Sequence, residues 1–172
     1  MATFWIENFG CRATEADAAA LCRALLADGL TPVPEHASAD VVVLNTCTVT
    51  AAADSQAREA VRKIHRANPA ARIVVTGCYA QRAPEELAAL EGVEWVVGNS
   101  HQAQIAQILR GPGAKPGDFI PVAELDDDGL WLARGAAKIL TGDILAQSTV
   151  QIAPAALMAG DRTRPILKIQ DG

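Results

Sequence analysis

Val41-Val42-Val43-Leu44-Asn45-Thr46-Cys47 is the stretch that decides the fold. Its first four residues form a short continuous apolar run, the pattern of a strand covered on both faces in a parallel sheet. The run stops at Asn45-Thr46 and delivers a cysteine. The same grammar returns at Ile73-Val74-Val75, which ends at Thr76-Gly77-Cys78, and at the mixed run 3–9, which ends at Gly10-Cys11. Three strands are therefore expected, each ending in a cysteine.

Helical periods fill the intervals. Residues 14–28 carry alanine and leucine at helix spacing and are closed by Gly29. Residues 54–67 place Ala57, Val61 and Ile64 on one side and turn Arg58, Arg62, Lys63 and Arg66 largely away, until Asn68-Pro69 ends the helix. A helix over 84–90 opens on a proline, and a last unit follows with a strand at 94–97, a turn at 98–100 and a helix over 101–109. Strands alternating with helices at such intervals predict an α/β domain: a parallel sheet with right-handed crossovers and helices on both faces. Dense glycine and proline at 111–117 mark its end. We therefore divide the chain into a domain at 1–110, a linker or irregular extension at 111–161, and a terminal piece at 162–172. The extension offers a candidate strand at 119–122, an acidic turn at 126–128 and an apolar stretch over 130–145 with no assignable pattern.

Composition narrows the function. Half of the 172 residues are hydrophobic, enough for a packed core, and the formal charge of −5 gives no global attraction for a phosphate polymer. Nucleic acid would need a local basic face or another domain, and the basic side of 54–67 is read first as solvation. The sequence shows neither a membrane-length apolar run nor the order of a signal peptide, so no membrane partner and a cytoplasmic location are expected. Four cysteines are too sparse for a disulfide scaffold. No G-x-G-x-x-G or P-loop pattern is present.

Residues just past the carboxyl ends of parallel strands gather along one edge, where ligands normally sit. Cys11, Cys47 and Cys78 all fall there, at a C-x35-C-x30-C spacing that makes each interval one strand-helix repeat. Thiolates suit an iron-sulfur cluster, and three of them on a 4Fe-4S cube leave one iron open. Zinc remains an alternative, as do thiols that merely pack. Gly10 and Gly77 allow close backbone approach, and Asn45, Thr46 and Thr76 are placed to donate hydrogen bonds toward the sulfur. Arg12 and Arg82 each stand close behind a cysteine, to meet a phosphate or an anionic cluster or else to pair with a carboxylate. Cys22 sits about 12 Å along the first helix, on an apolar stripe with Ala18, Leu25 and Leu26, and reads as a packing thiol. His36, His65 and His101 read as surface or capping residues.

Asn8-Phe9-Gly10-Cys11-Arg12, Asn45-Thr46-Cys47-Thr48-Val49-Thr50 and Val75-Thr76-Gly77-Cys78-Tyr79-Ala80-Gln81 resemble, in order and spacing, the three cysteine motifs of the N-terminal domain of radical S-adenosylmethionine methylthiotransferases. The resemblance covers about 3–110, and the Thr-Cys-Thr-Val-Thr form is most similar to the subgroup acting on threonylcarbamoyl-adenosine in tRNA, beside the anticodon. It implies a flavodoxin-like domain whose Cys11, Cys47 and Cys78 carry one auxiliary 4Fe-4S cluster, where a sulfur species on the open iron is passed to the substrate carbon. It further implies that S-adenosylmethionine and a second 4Fe-4S cluster belong to a following barrel, and that tRNA and a sulfur donor are partners of the full-length enzyme. Residues 162–172 resemble the lead-in to that barrel, so the expectation is a chain cut short before the radical motif and inactive alone. A non-catalytic metal-binding or scaffold module, holding zinc or nothing, is the alternative.

Overall fold

The computed structural model describes residues 2–9, 12–48, 50–110, 130–132 and 137–142. β1 (Thr3–Asn8) leads into α1 (Arg12–Ala27), and a two-residue β2 (Thr31–Pro32) precedes β3 (Val41–Thr46) and α2 (Ala51–Ala67). β4 (Arg72–Gly77) passes directly into α3 (Cys78–Arg82) and α4 (Pro84–Ala88). β5 (Val93–Val97), a 3-10 turn over Asn99–Gln104, α5 (Ile105–Arg110), β6 (Leu130–Leu132) and β7 (Lys138–Leu140) follow.

These strands form one sheet in the order β2-β1-β3-β4-β5-β7-β6. All neighbours run parallel except β6 against β7. The first five strands follow the doubly wound 2-1-3-4-5 order, whose connections change direction between β1 and β3. The α/β parallel architecture expected from the strand-helix alternation is present, with one antiparallel edge strand added.

Every residue of β3 is buried. Successive side chains on a strand point to opposite faces. One face gathers Val42, Leu44, Ile73 and Val75 under Ala57, Val61 and Ile64 of α2, together with Tyr79 and Leu87. The other gathers Val41, Val43 and Val74 under Leu21 and Leu25 of α1 and Ile105 and Ile108 of α5. Each such aliphatic side chain contributes about 1.5–3 kcal/mol by leaving water. That is why the run 41–44 shows no polar alternation.

The structure departs from the sequence reading in several places. α2 starts before residue 54 because Thr50 caps it, its hydroxyl accepting from the Ala53 amide at 3.2 Å. α3 was not anticipated. Gly77, at φ 96° and ψ −167°, turns the chain from strand to helix within one residue, so no linker announces the change. The helix expected over 101–109 splits into the 3-10 turn and α5. His101 is 6% exposed, not a surface residue, and its Nδ1 lies 2.8 Å from the Ser100 hydroxyl. The unassigned stretch 130–145 supplies β6 and β7. The candidate strand at 119–122, the acidic turn at 126–128 and the terminal piece 162–172 lie outside the described residues. Among the described residues, no helix is long and apolar enough to cross a membrane.

Candidate metal centre at the carboxyl edge of the sheet

The parallel ladders bring the ends of three strands level. Asn8 pairs with Asn45 across β1 and β3, and Asn45 pairs with Thr76 across β3 and β4. Thr46 pairs with Gly77. Cys47 and Cys78 are the next residues on strands about 4.8 Å apart, so the backbone carries the two cysteines off the edge side by side. Cys47 is 4% exposed and Cys78 half-buried. Gly10, Cys11 and the side chain of Arg12 lie outside the described residues, so the third sulfur has no described position. Among the described residues no group of three or more His, Cys, Asp or Glu side chains is gathered closely enough for a metal ion.

The surroundings suit sulfur ligands. A Cβ at Gly77 would collide with the Thr46 carbonyl and lie 2.7 Å from the Thr46 amide nitrogen and 2.8 Å from Asn45 Oδ1, so only glycine admits this close approach. Asn99, in the turn after β5, donates from Nδ2 to Cys78 Sγ at 3.7 Å. Asn45 donates to the Thr14 carbonyl at 2.8 Å and to Asn8 Oδ1 at 3.1 Å, tying the end of β3 to the end of β1 and the first turn of α1. Thr46 donates to the Thr76 carbonyl at 2.6 Å. Asn45 Oδ1 and Thr76 Oγ1, on register partners, are buried with no hydrogen-bond partner among the described residues. Two cysteines following paired strand ends, with an amide donor aimed at one sulfur, are compatible with a thiolate-bound metal group.

Residues 3–98 match the family described as Uncharacterized protein family UPF0004. The chain belongs to the UPF0004 family. It is 35% identical over 166 residues to the threonylcarbamoyladenosine tRNA methylthiotransferase MtaB of Aquifex aeolicus (strain VF5), a match covering 96% of this chain and 36% of that protein. It is 37% identical over 105 residues to the MtaB protein of Bacillus subtilis (strain 168), covering 61% of this chain and 23% of the relative. Identity is 31% over 152 residues to the tRNA-2-methylthio-N(6)-dimethylallyladenosine synthase of Syntrophobacter fumaroxidans, covering 85% of this chain and 33% of the relative. The methylthiotransferase likeness carried by the cysteine motifs is thus borne out. The chain spans about a third or less of these relatives' length.

Within this UPF0004 domain the two sequence expectations for Arg82 resolve in favour of a carboxylate. Its guanidinium donates to Asp54 Oδ2 at 2.5 Å and to Thr48 Oγ1 at 2.8 Å, and its Cζ lies 5.3 Å from the centre of the Tyr79 ring. Arg58 likewise turns inward from the basic face of α2. It donates to the Tyr79 hydroxyl at 2.6 Å, and that hydroxyl donates to Glu86 at 2.8 Å. Burial, helped by the bond to Glu86, pushes the Tyr79 phenol above its ordinary pKa. Arg62, Lys63 and Arg66 remain exposed. Cys22 is half-buried against the α1 side of the core, and burial pushes its thiol up, opposite to what a thiolate ligand requires.

Sequence reasoning missed Asn99. Its signal was available, because Gly98-Asn99-Ser100 follows a strand at the same edge as the three cysteine turns, but no cysteine drew attention to it.

Proposed function

We propose that this chain is the auxiliary-cluster domain of a tRNA methylthiotransferase, with Cys11, Cys47 and Cys78 holding one 4Fe-4S cluster. The observation that carries the reading is the Thr46–Gly77 pairing, which sends two of the three motif cysteines off adjacent strands in a chain whose relatives are methylthiotransferases. When bound, such a cluster supplies one iron with a coordination position free for a sulfur ligand.

The protein's own part is positioning and shielding. Gly77 lets the β4 exit close against Thr46, and Asn99 directs an N–H at Cys78, stabilising negative charge on that sulfur. Cys47 is shielded from water by the covered end of β3. Asn45 ties the end of β3 to Asn8 and to Thr14, described residues on either side of Cys11 in the sequence.

The substrate base is a modified adenosine next to the tRNA anticodon, threonylcarbamoyl-adenosine by the likeness to the MtaB proteins. S-adenosylmethionine, the second cluster, the sulfur donor and most of the tRNA surface are assigned to the remainder of a longer enzyme, so the chain alone is not expected to complete the reaction. The working compartment is the cytoplasm.

Anaerobic reconstitution with iron and sulfide tests this. About four irons per chain are expected, with the charge-transfer absorbance of a cluster, and Cys47→Ala should abolish both. Stoichiometric zinc with no iron-dependent absorbance would instead make the domain a metal-binding scaffold.

A further inference from the structure

We propose that Arg82 is a positioning residue that sets the separation of Cys47 and Cys78, by bolting the loop after the first to the helix that begins with the second. This rests on the cluster reading above and deepens it.

The geometry brackets the two cysteines. Before them, Thr46 and Gly77 are locked by the ladder. After them, Thr48 and Arg82 are joined by the 2.8 Å bond from the guanidinium Nε to the threonine hydroxyl. Thr48 directly follows Cys47, and Arg82 ends the single helical turn that Cys78 begins. The four residues thus close a ring around the pair: a ladder on one side, a side-chain bond on the other. Beyond the ladder behind the cysteines and the bonds from Arg82 and Tyr79 to α2, the Thr48 bond adds a direct tie between the residue after Cys47 and α3.

The guanidinium is held from two further directions. Asp54, in the first turn of α2, takes a terminal nitrogen at 2.5 Å, while the buried Tyr79 ring lies below it. The Asp54 side chain is only 13% exposed, and its other oxygen has no hydrogen-bond partner among the described residues. Arg82 is 51% exposed, so the ion pair is screened, and the value of the arrangement lies in orientation. Only arginine does this, since adjacent nitrogens of one planar fork reach Thr48 and Asp54 together, whereas a lysine ammonium is a single point.

The test uses the full 172-residue chain and two readouts. The first is the rate of iron loss to a chelator after anaerobic reconstitution. The second needs no cluster: bridging of Cys47 and Cys78 by a trivalent arsenical in metal-free protein carrying Cys11→Ala and Cys22→Ala. Arg82→Lys and Thr48→Val are each expected to hasten iron loss about tenfold, the usual scale for a residue behind a metal ligand, and to slow bridging. Thr48→Val keeps the Asp54 pair, so its metal-free unfolding temperature should match the parent and separate positioning from stability. Both variants behaving as the parent in both readouts would overturn the proposal. A parent that takes up no iron, yet whose bridging slows on Thr48→Val, would refute the cluster reading while supporting the role of Arg82.

Discussion

Thr46 and Gly77 face each other across the β3–β4 ladder, and the cysteines that follow them leave the sheet at one level. The relationship depends on glycine twice over. Its backbone lies at φ 96° and ψ −167°, a region essentially confined to glycine, and a Cβ would strike the Thr46 backbone.

Gly77→Ala should therefore destabilise the metal-free chain by about 3 kcal/mol or more, as strain and collision add. Urea unfolding measures it. A variant as stable as the parent would show that the β4–α3 junction relaxes freely.

Cys22 tests the separation of packing thiols from edge thiols. Cys22→Ala should leave iron uptake unchanged and reduce stability by about 1 kcal/mol, the scale for a side chain only partly withdrawn from water. Burial raises its pKa above the ordinary 9.0, so the thiol is protonated preferentially in the folded state. Its contribution is full below that value and fades as pH rises through the folded pKa. Site-resolved alkylation should place the Cys22 midpoint above 9.0, and a midpoint at or below it would contradict the packing role.

The parts of the fold legible in the sequence are those where local pattern and tertiary burial coincide. Val41 to Leu44 announce a central strand because both faces are covered, and α2 announces itself because Ala57, Val61 and Ile64 recur with the helical turn. The positions of Cys47 and Cys78 follow from strand ends alone. α3 was hidden because five residues hold too little periodicity, and the turn into it is a dihedral of one glycine. β7 was hidden because three residues pair with β5 from more than forty positions away, and nothing local encodes that. The partner of Arg82 was one of two alternatives until the crossover placed Asp54 beside it. His101, read from its polarity as a surface or capping residue, is buried, with its Nδ1 2.8 Å from the Ser100 hydroxyl.

Arg72 and Glu94 give a pH-dependent prediction away from the edge. The guanidinium grips the carboxylate with two bonds, of 2.8 and 2.9 Å, and also donates to the Leu109 carbonyl at 3.0 Å, joining β4, β5 and the end of α5. The Arg72 hydrogen bonds hold the Glu94 pKa below its ordinary 4.5. A depressed carboxylate pKa adds stability that is present above the ordinary value and lost as pH falls through the folded one. Both side chains keep more than a third of their surface in water, so screening limits the pair to about 1 kcal/mol. Glu94→Gln should therefore weaken the fold by about that amount near neutral pH, with the gap closing as pH falls below the ordinary 4.5 and through the lowered folded value. A gap independent of pH in paired urea titrations would show that Glu94 acts by packing.

Asn99 is the residue at the edge whose effect is most readily separated from folding. Its amide donates to Cys78 Sγ at 3.7 Å, and it is only half-buried, so truncation creates no large cavity. A hydrogen bond to a ligand sulfur favours the more negative state of a bound cluster, which raises its reduction potential. Asn99→Ala should then lower the midpoint potential of the reconstituted chain by on the order of 40 mV, the one-electron equivalent of about 1 kcal/mol. Iron content should stay at the parent value, because all three thiols remain. Asn99→Gln, which keeps the amide but moves it by one methylene, should fall between the two. An unchanged potential in Asn99→Ala, at equal iron content, would mean that the Asn99 amide does not act on the sulfur in the loaded protein.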